Sequence, residues 1–498
     1  MRASTAGCAL VPKRILRNRL SPDSTIRPSR KQSPAGAHDD VSPERKFNNV
    51  STLCSAEEKP SYAARIGLDW ADQKHFWTML TADGKRTRGE LKHTPEAIEI
   101  WAVELARSFD GRPIALALEQ KRGALVAILS KYAHVHLFPL HPTKLGHYRK
   151  SVCASGAKSD PSDADLILDY LLKHPEWLPC LMPDTVETRS LQFLVEERRK
   201  LVDQHTSQLQ ILIYWLKQIF PQMLEWFDGM STPLVGDLLK RWPQLPALQK
   251  ASQKTLRKFF AQHNCRSEER IQQRLDQIGQ AVPATTDAAL LNTGDLCIHI
   301  AVQLLAALRA GIAEFDRQIE AVYQTHPDRS LVASLPGAGP ALEPRLIAAL
   351  GTNRERFESA SSMACCFGIA PVTESSGNAH WVHWRWACSK FVRQTFHEWA
   401  NCSIRSCGWA KEHYDKQRLK GKGHHASVRS VAFKWIRILF RCWRDRVPYS
   451  EQRYVEALRK HGTSTSTPVA VVINSTSMLS GVQWESCGGF SKLAKVSS

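Results

Sequence analysis

Two apolar runs in the first third of the chain each end on an acid: "IGLD", residues 66 to 69, and "IALALE", residues 114 to 119. A carboxylate without a partner in apolar surroundings is costly, so such runs leave the chain few folds. They read as central strands of a sheet, continuously apolar because both faces are covered. Their acids fall at the strand ends, where an α/β sheet presents ligands. "IGLD" is followed by an alternating "HFWTMLT" and, beyond a turn at "ADGK", by a third strand, "TRGELKH". "TPEAIEIWAVELARSF" predicts an amphipathic helix with Thr94 as N-cap and Pro95 at the first position. "IALALE", another helix, a fifth strand "VHLFPL" and a last helix opened by "AKSDPSDADLILDY" complete the pattern. Three strands in a meander followed by alternating helices and strands predict one α/β domain over residues 62–182.

The last helix carries Asp160 and Asp163, with Pro161 between them. The expected placement is Asp160 at the N-cap, Pro161 at the first helical position and Asp163 at the third. Alone, the pair reads as a cap that favours the helix dipole. Together with Asp69 and Glu119 it makes four carboxylates from two strands and one helix, a hard oxygen-rich set suited to Mg²⁺ or Mn²⁺. Such ions bind phosphates, activate a hydroxyl and stabilise the leaving oxygen in phosphodiester chemistry. Asp72 and Asp165, nearby, are assigned to solvent or to supporting roles.

Beyond residue 183 the pattern is one of long helices. Leu191, Leu194, Leu201, Leu212 and Ile219 keep a three/four spacing, with Arg198, His205 and Gln208 on the same seam; Ile298, Val302, Leu305, Ile312, Phe315, Ile319 and Val322 form a second series. Residues 183–330 are therefore expected as a helical region that pairs as an antiparallel coiled coil, packs as a bundle or dimerises. A third unit, 331–462, opens with "SLPGAGPALEPRLIAALG". This reads as a helix–hairpin–helix element in which Gly337 and Gly339 let backbone N–H groups approach a DNA phosphate. "KQRLKGKGHH", with Lys420 and Lys422, reads as a basic loop for a nucleic-acid backbone, and "VRSVAFKWIRILFRCW" as an amphipathic helix. Trp381, Trp384 and Trp386 either stack on bases or form a buried cluster. Residues 1–61 and 463–498 lack apolar periodicity and read as a disordered basic extension and a disordered tail; a start placed upstream of the true one explains the first equally well.

Charge agrees with a phosphate-backbone partner: 67 Lys and Arg against 48 Asp and Glu leave +19. No uninterrupted run of about 18 apolar residues predicts a membrane span, and the N-terminus lacks the apolar core of a secretory signal. Thirteen cysteines, an odd number without a CxxC pair, read as reduced thiols of a cytoplasmic protein.

The acid positions and the order of strands and helices resemble the RNase-H-like, RuvC-type nuclease superfamily. More closely, "IGLD", "ALE" about fifty residues on, and Lys-Ser-Asp-Pro-Ser-Asp-Ala at 158–164 resemble the DEDD transposases of insertion-sequence family 110, grouped with the Piv-type DNA invertases. The usual helix signature there is Lys-Thr-Asp-x-x-Asp-Ala; Lys158, Asp160, Asp163 and Ala164 match, and Ser159 is a mild departure. "RFESASSMACCFGIAPVTESSGNAH" resembles the family's second domain, with Gly368, Ala370, Pro371, Ser376 and Gly377 in its pattern. The usual Gly-Asn-x-x-Leu-Arg segment is here "CSKFVR", which keeps Arg393 but puts Cys388 and Ser389 where Gly and Asn are common.

The resemblance implies an acidic tetrad of Asp69, Glu119, Asp160 and Asp163 holding Mg²⁺ or Mn²⁺. It also implies Ser376 as nucleophile for DNA strand exchange, with Ser375 competing one residue away, and Lys158 and Arg393 among the nucleic-acid contacts. The implied partners are DNA at the element ends and target, a structured noncoding guide RNA and further copies of the chain in a homodimer or tetramer; the implied place is the bacterial cytoplasm with the nucleoid. Two other classes stand beside it: a metal-dependent junction nuclease without serine chemistry, and a non-catalytic nucleic-acid-binding relic, favoured by the departures at Cys388 and Ser389.

Overall fold

The structure, a computed structural model, describes residues 61–152, 159–377 and 379–460. The expected disordered extension (1–61) and tail (463–498) lie almost wholly outside the described residues, as does Lys158.

The first part is a five-stranded sheet in the order β3-β2-β1-β4-β5. β1 (Ala64–Asp69), β4 (Ile114–Leu118) and β5 (Val135–Pro139) run parallel, and β2 (Lys74–Thr81) is antiparallel to both β1 and β3 (Arg86–Lys92). Alternation along the strands divides two cores. Ile66 and Leu68 of β1, with Ile114, Leu116 and Leu118 of β4, pack with α1 (Pro95–Ser108) and α2 (Ala124–Leu129). On the opposite face Ala115 and Ala117 pack with Leu145 of α3 (Pro142–Val152) and with Leu166, Ile167, Tyr170 and Leu171 of α4 (Asp160–Lys173). The result is three layers, helix on sheet on helix. The Thr94 cap is present, its hydroxyl accepting from the Ala97 N–H at 3.3 Å.

Two details differ from the sequence reading. The cap of α4 is Ser159, one residue earlier than expected, so Asp160 opens the helix, Pro161 follows it and Asp163 lies in its first turn. Ser162 closes the cap by accepting from the Ser159 N–H at 3.1 Å. α3 was not anticipated, because it buries Leu145 alone and has no apolar stripe. Tyr148 fastens it to α4, its hydroxyl donating to Asp169 Oδ2 at 2.6 Å and its ring lying edge-on to Tyr170.

The second part is an antiparallel pair of long helices, α5 (Val186–Ile219) and, after α6 (Gln222–Trp226), α7 (Pro233–Arg241), α8 (Leu245–Gln249), α9 (Gln253–Gln262) and α10 (Glu268–Gln280), α11 (Ala288–Thr325). Direction follows from the packing: Leu191 and Val195 share a core with Ile319 and Tyr323, whereas Leu212, Leu216 and Ile219 share another with Ile298, Val302 and Leu305. The polar residue Arg198 on the seam is explained, since its guanidinium pairs with Asp316. α6–α10 close one end of the pair over the second core. α11 holds an 18-residue window of mean hydropathy 1.8, long and apolar enough to cross a membrane by composition alone; isolated polar residues such as His299 and Arg309 hide it from a search for uninterrupted runs.

The other end of the pair belongs to the core of the third part. This comprises α12 (Arg329–Ala333), α13 (Gly339–Leu350), α14 (Ala360–Cys366), a hairpin of β6 (Val372–Ser376) and β7 (Ala379–His383), then α15 (Lys390–Ser406), α16 (Gly408–Leu419), α17 (His424–Asp445) and α18 (Glu451–Lys460). Fully buried Trp399, Trp435 and Trp443 anchor it, and α17 turns the apolar face expected of it inward. The hairpin was not expected; its one signal in the sequence was the Gly-Asn pair of its turn.

Candidate active site

β1 and β4 are neighbours, and their last paired residues are Leu68 and Leu118. Asp69 and Glu119 each come one residue later, so their backbones stand about 5 Å apart at the sheet's carboxyl edge. Alternation places Asp69 on the face of Gly67, and Glu119 on the face of Ala115 and Ala117, which is the face that α4 covers. Gly67 sets how closely α4 lies there. A methyl group on it would stand 2.3 Å from the Ala164 carbonyl oxygen and 2.4 Å from the Leu168 nitrogen. Helix backbone therefore rests on strand backbone, one residue from Asp163. Glycine and alanines on this face are what bring the first turn of α4 to the end of β1.

Asp165 clamps the same helix from the side. It accepts from the Thr78 hydroxyl at 2.7 Å, from Arg86 Nη2 at 2.9 Å and from Arg88 Nε and Nη2 at 3.2 and 2.5 Å. Burial works to raise its pKa, but Thr78, Arg88 and Arg86 together hold the carboxyl below its ordinary value. Solvent or a supporting role was expected for Asp165; in the structure it ties α4 to β2 and β3. Behind Asp69, the Ala71 N–H donates to His75 Nδ1 at 3.1 Å. The neutral ring then carries its proton on Nε2, 2.9 Å from His93 Nδ1. Burial, and then the nearby His93, push the His75 pKa down to about 4, so the ring stays neutral.

The four acids differ in exposure. Asp160 is exposed, Asp69 and Glu119 are half-buried, and the Asp163 side chain is only 4% exposed. Asp163 is engaged by Arg149 of α3, whose Nη2 lies 2.5 Å from its Oδ1. The donors are all carboxylate oxygens, the right chemistry for a hard divalent cation. Yet among the described residues no three acidic, histidine or cysteine side chains close on one point.

Ser376 is the last residue of β6, exposed and paired with Ala379, next to Gly377 at φ +55°. Directly opposed residues share a face, so Ser376 lies with Glu374 and Trp381, and Ser375 faces the other way with His380. The two candidate serines thus have different surroundings. His383 Nε2 lies 2.8 Å from Glu374 Oε1, and its Nδ1 2.8 Å from the Trp384 carbonyl. Both partners accept, which favours the protonated ring, and Glu374 followed by that carbonyl raises its pKa. Trp381 and Trp386, 54% and 76% exposed, stand clear of the core. Trp384 lies under the guanidinium groups of Arg393 and Arg429.

Arg393 also makes a bond within the chain, its Nη1 donating to the Arg385 carbonyl at 3.1 Å. Gly337, at φ +73°, has the backbone of Cys402 and Ser403 where a side chain would go, so the fold itself demands glycine there. Gly339, at φ +58°, faces open space. Lys420 and Lys422 are exposed at the turn after α16. The two departures have local causes. Ser389 caps α15, accepting from the Val392 N–H at 3.4 Å, and asparagine caps a helix equally well. Cys388 fills the space beside Gly368, where an added methyl group would overlap its sulfur.

Sequence comparisons agree with this layout. A DEDD-type transposase family of the IS110 group matches residues 66–221, and a second, described as "Transposase IS116/IS110/IS902 family", matches residues 329–415. Among similar proteins, one named "Mini-circle putative transposase for IS117", from Streptomyces coelicolor, is 26% identical over 413 residues, covering 78% of this chain and 95% of that protein. The insertion element IS116 44.8 kDa protein of Streptomyces clavuligerus is 23% identical, covering 76% and 94%. The insertion element IS900 42 kDa protein of Mycobacterium paratuberculosis is also 23% identical, covering 77% and 96%. The two matched regions fall on the sheet with its acids and on the hairpin with its serine, and the chain belongs to the IS110-type transposase family.

Proposed function

We propose that the chain cuts and rejoins DNA strands at the ends of an insertion element, with Asp69, Glu119, Asp160 and Asp163 holding Mg²⁺ or Mn²⁺ and Ser376 as nucleophile. The observation that supports this reading is that β1 and β4, whose ends carry Asp69 and Glu119, are adjacent, and that the first turns of α4 lie against β1 at Gly67. The strand order 3-2-1-4-5, with only β2 reversed, supports an RNase-H-like ancestry for that sheet.

A bound divalent cation supplies positive charge to the phosphate and to the oxygens that enter and leave it. The rest falls to the chain. The Ser376 hydroxyl adds to a backbone phosphorus and gives up its proton. The bond from phosphorus to one sugar oxygen breaks, and that oxygen leaves as a hydroxyl. Attack by a different sugar hydroxyl on the serine ester reverses the step and joins a new strand without loss of bond energy. Gly377 leaves the serine uncrowded, and Trp381 on the same face offers a ring to an unpaired base. The basic turn at Lys420 and Lys422, Arg393, and the chain around Lys158, Gly337 and Gly339 contribute backbone contacts. A structured guide RNA chooses the sequence, and two or four copies assemble on the DNA, in the cytoplasm with the nucleoid.

The test uses full-length protein, Mg²⁺, DNA spanning the element junction and transcripts of the flanking noncoding region. A protein–DNA adduct that survives denaturing electrophoresis, is lost in Ser376→Ala and is kept in Ser375→Ala is the expected result. Cleavage without an adduct replaces the serine mechanism by a metal-only nuclease, and an adduct kept in Asp163→Asn removes that acid from the chemistry.

A further inference from the structure

The acidic edge contains a cation of its own. Arg149, in the last turn of α3, puts Nη2 2.5 Å from Asp163 Oδ1, and the two side chains are 21% and 4% exposed. Its position is not accidental to a loose helix: the adjacent Tyr148 bonds to Asp169 and packs on Tyr170, fixing α3 against α4. A carboxylate as buried as Asp163 needs a compensating charge, and the guanidinium provides it. The same carboxylate is one of the four proposed to hold the divalent cation, so the guanidinium occupies one of its oxygens, Oδ1.

We infer that Arg149 is a built-in competitor for the acidic site: it holds Asp163 while no divalent cation is bound, and passes to a DNA phosphate when the cation takes that carboxylate. This rests on the reading of Asp163 as a cation ligand. A guanidinium suits both positions, since its fork matches carboxylate and phosphate alike. Exchange keeps the edge electrically compensated in each state. It also couples the two ligands: the cation frees a phosphate-binding group, and by reciprocity DNA favours the cation. An empty site is thereby kept closed to stray metal, and a loaded one gains a hold on its substrate.

The experiment measures Mn²⁺ binding by calorimetry to the full-length protein without nucleic acid, in wild type, Arg149→Gln, Arg149→Lys and Asp163→Asn. Arg149→Gln is expected to bind several-fold more tightly, because nothing has to be displaced; unchanged or weaker binding overturns the inference. Arg149→Lys, which keeps a cation without the fork, covers the case in which the Gln variant does not fold: it is expected to bind more tightly than wild type by a smaller factor, and equal or weaker binding again overturns the inference. Asp163→Asn separates the two readings. Wild-type affinity in that variant removes Asp163 from the ligands and takes the proposed acidic site with it, whereas lost affinity there beside an unchanged Arg149→Gln leaves the site and removes only the competitor. In a second measurement, affinity for a short random-sequence duplex is followed against salt with and without Ca²⁺. The wild-type slope is expected to steepen by about 0.9 on adding Ca²⁺, one extra phosphate contact, and Arg149→Gln to show no such change; a wild-type slope indifferent to Ca²⁺ refutes the hand-over.

Discussion

Replacing Gly67 by alanine adds one methyl group at the point where α4 rests on β1. That carbon would lie 2.3 Å from Ala164 O, 2.4 Å from Leu168 N and 2.8 Å from Leu168 Cα, where ordinary contact begins at 3.4 Å. The shortfall, 3.4 less 2.3, is 1.1 Å. None of the three atoms belongs to a side chain that can rotate away. The first turns of α4 must therefore retreat by about that distance, and they carry Asp160 and Asp163. Overpacking of this kind costs about 1–3 kcal/mol, offset by about 0.4–1 kcal/mol because alanine restricts the unfolded chain. Stability should fall modestly. Activity should fall much further, since a displacement of about 1 Å in a catalytic group is worth roughly 100-fold in rate.

The assay is single-turnover cleavage of junction DNA at saturating Mg²⁺, read beside thermal unfolding. Gly89→Ala is the control: its methyl group would meet the Trp77 ring on β2 and β3, away from α4. It should lower Tm while leaving the cleavage rate within a few-fold. A Gly67→Ala protein that is folded and cleaves at the wild-type rate refutes the reasoning, because the spacing of α4 from β1 would then have no part in setting the acids.

Asp165→Asn loses its charge-assisted bonds to Arg86 and Arg88, and at a site a quarter exposed this should cost about 1 kcal/mol. Because the folded state holds Asp165 below its ordinary pKa, its stabilisation is complete above roughly pH 4, the unfolded value, and disappears as pH falls through the lower folded one; thermal unfolding from pH 6 to 3 should lose that component in the variant. His75, His397 and His413 have the same sign in a higher pH window. Burial first, then the neighbouring His93, His425 and Lys434 respectively, lower each to about 4. Between there and about 6.5 the unfolded chain binds more protons, so stability should fall as pH drops through that window. His413→Gln, which can keep the bond to Ser430 Oγ, should flatten the decline, and an unchanged slope counts against a neutral His413. Ser389→Asn should leave Tm unchanged while Ser389→Ala costs about 1 kcal/mol, as expected of a helix cap; equal losses in both would mean the hydroxyl has another role.

Much of the sheet was legible because burial on both faces writes itself as uninterrupted apolar text. "IALAL" is buried at every position, and the two acids that interrupt such text, Asp69 and Glu119, are neighbours across the sheet. The seam of the long helices was legible in the same way, through spacing, whereas their antiparallel direction was one of three arrangements that spacing left open and came only from the packing. What escaped detection has little apolar periodicity. α3 buries one leucine and is held by a tyrosine hydroxyl, a contact between residues that sequence spacing does not pair. Arg149 therefore gave no signal, although it lies against one of the four acids. The hairpin is similar: it is exposed on both faces, and only its turn residues announce it.

The departures at Cys388 and Ser389 looked in the sequence like damage near the serine, and so like support for a relic. The structure gives each a local cause. Ser389 keeps the side-chain oxygen that α15 needs at its start. Cys388 is the other half of Gly368: the glycine has φ +70° and no side chain, and the thiol takes the space beside it, donating to the Arg385 carbonyl at 3.2 Å while Arg393 bonds to that same oxygen. A chain drifting without selection has no reason to keep a cap with a capping residue, or to fill a glycine's gap with a side chain that fits. Cys388→Gly should then loosen the turn from 385 to 388 and lower stability by about 1 kcal/mol of lost packing, read as a fall in Tm. A Cys388→Gly protein as stable as wild type, with faster strand exchange, would instead mark the cysteine as an unrepaired defect.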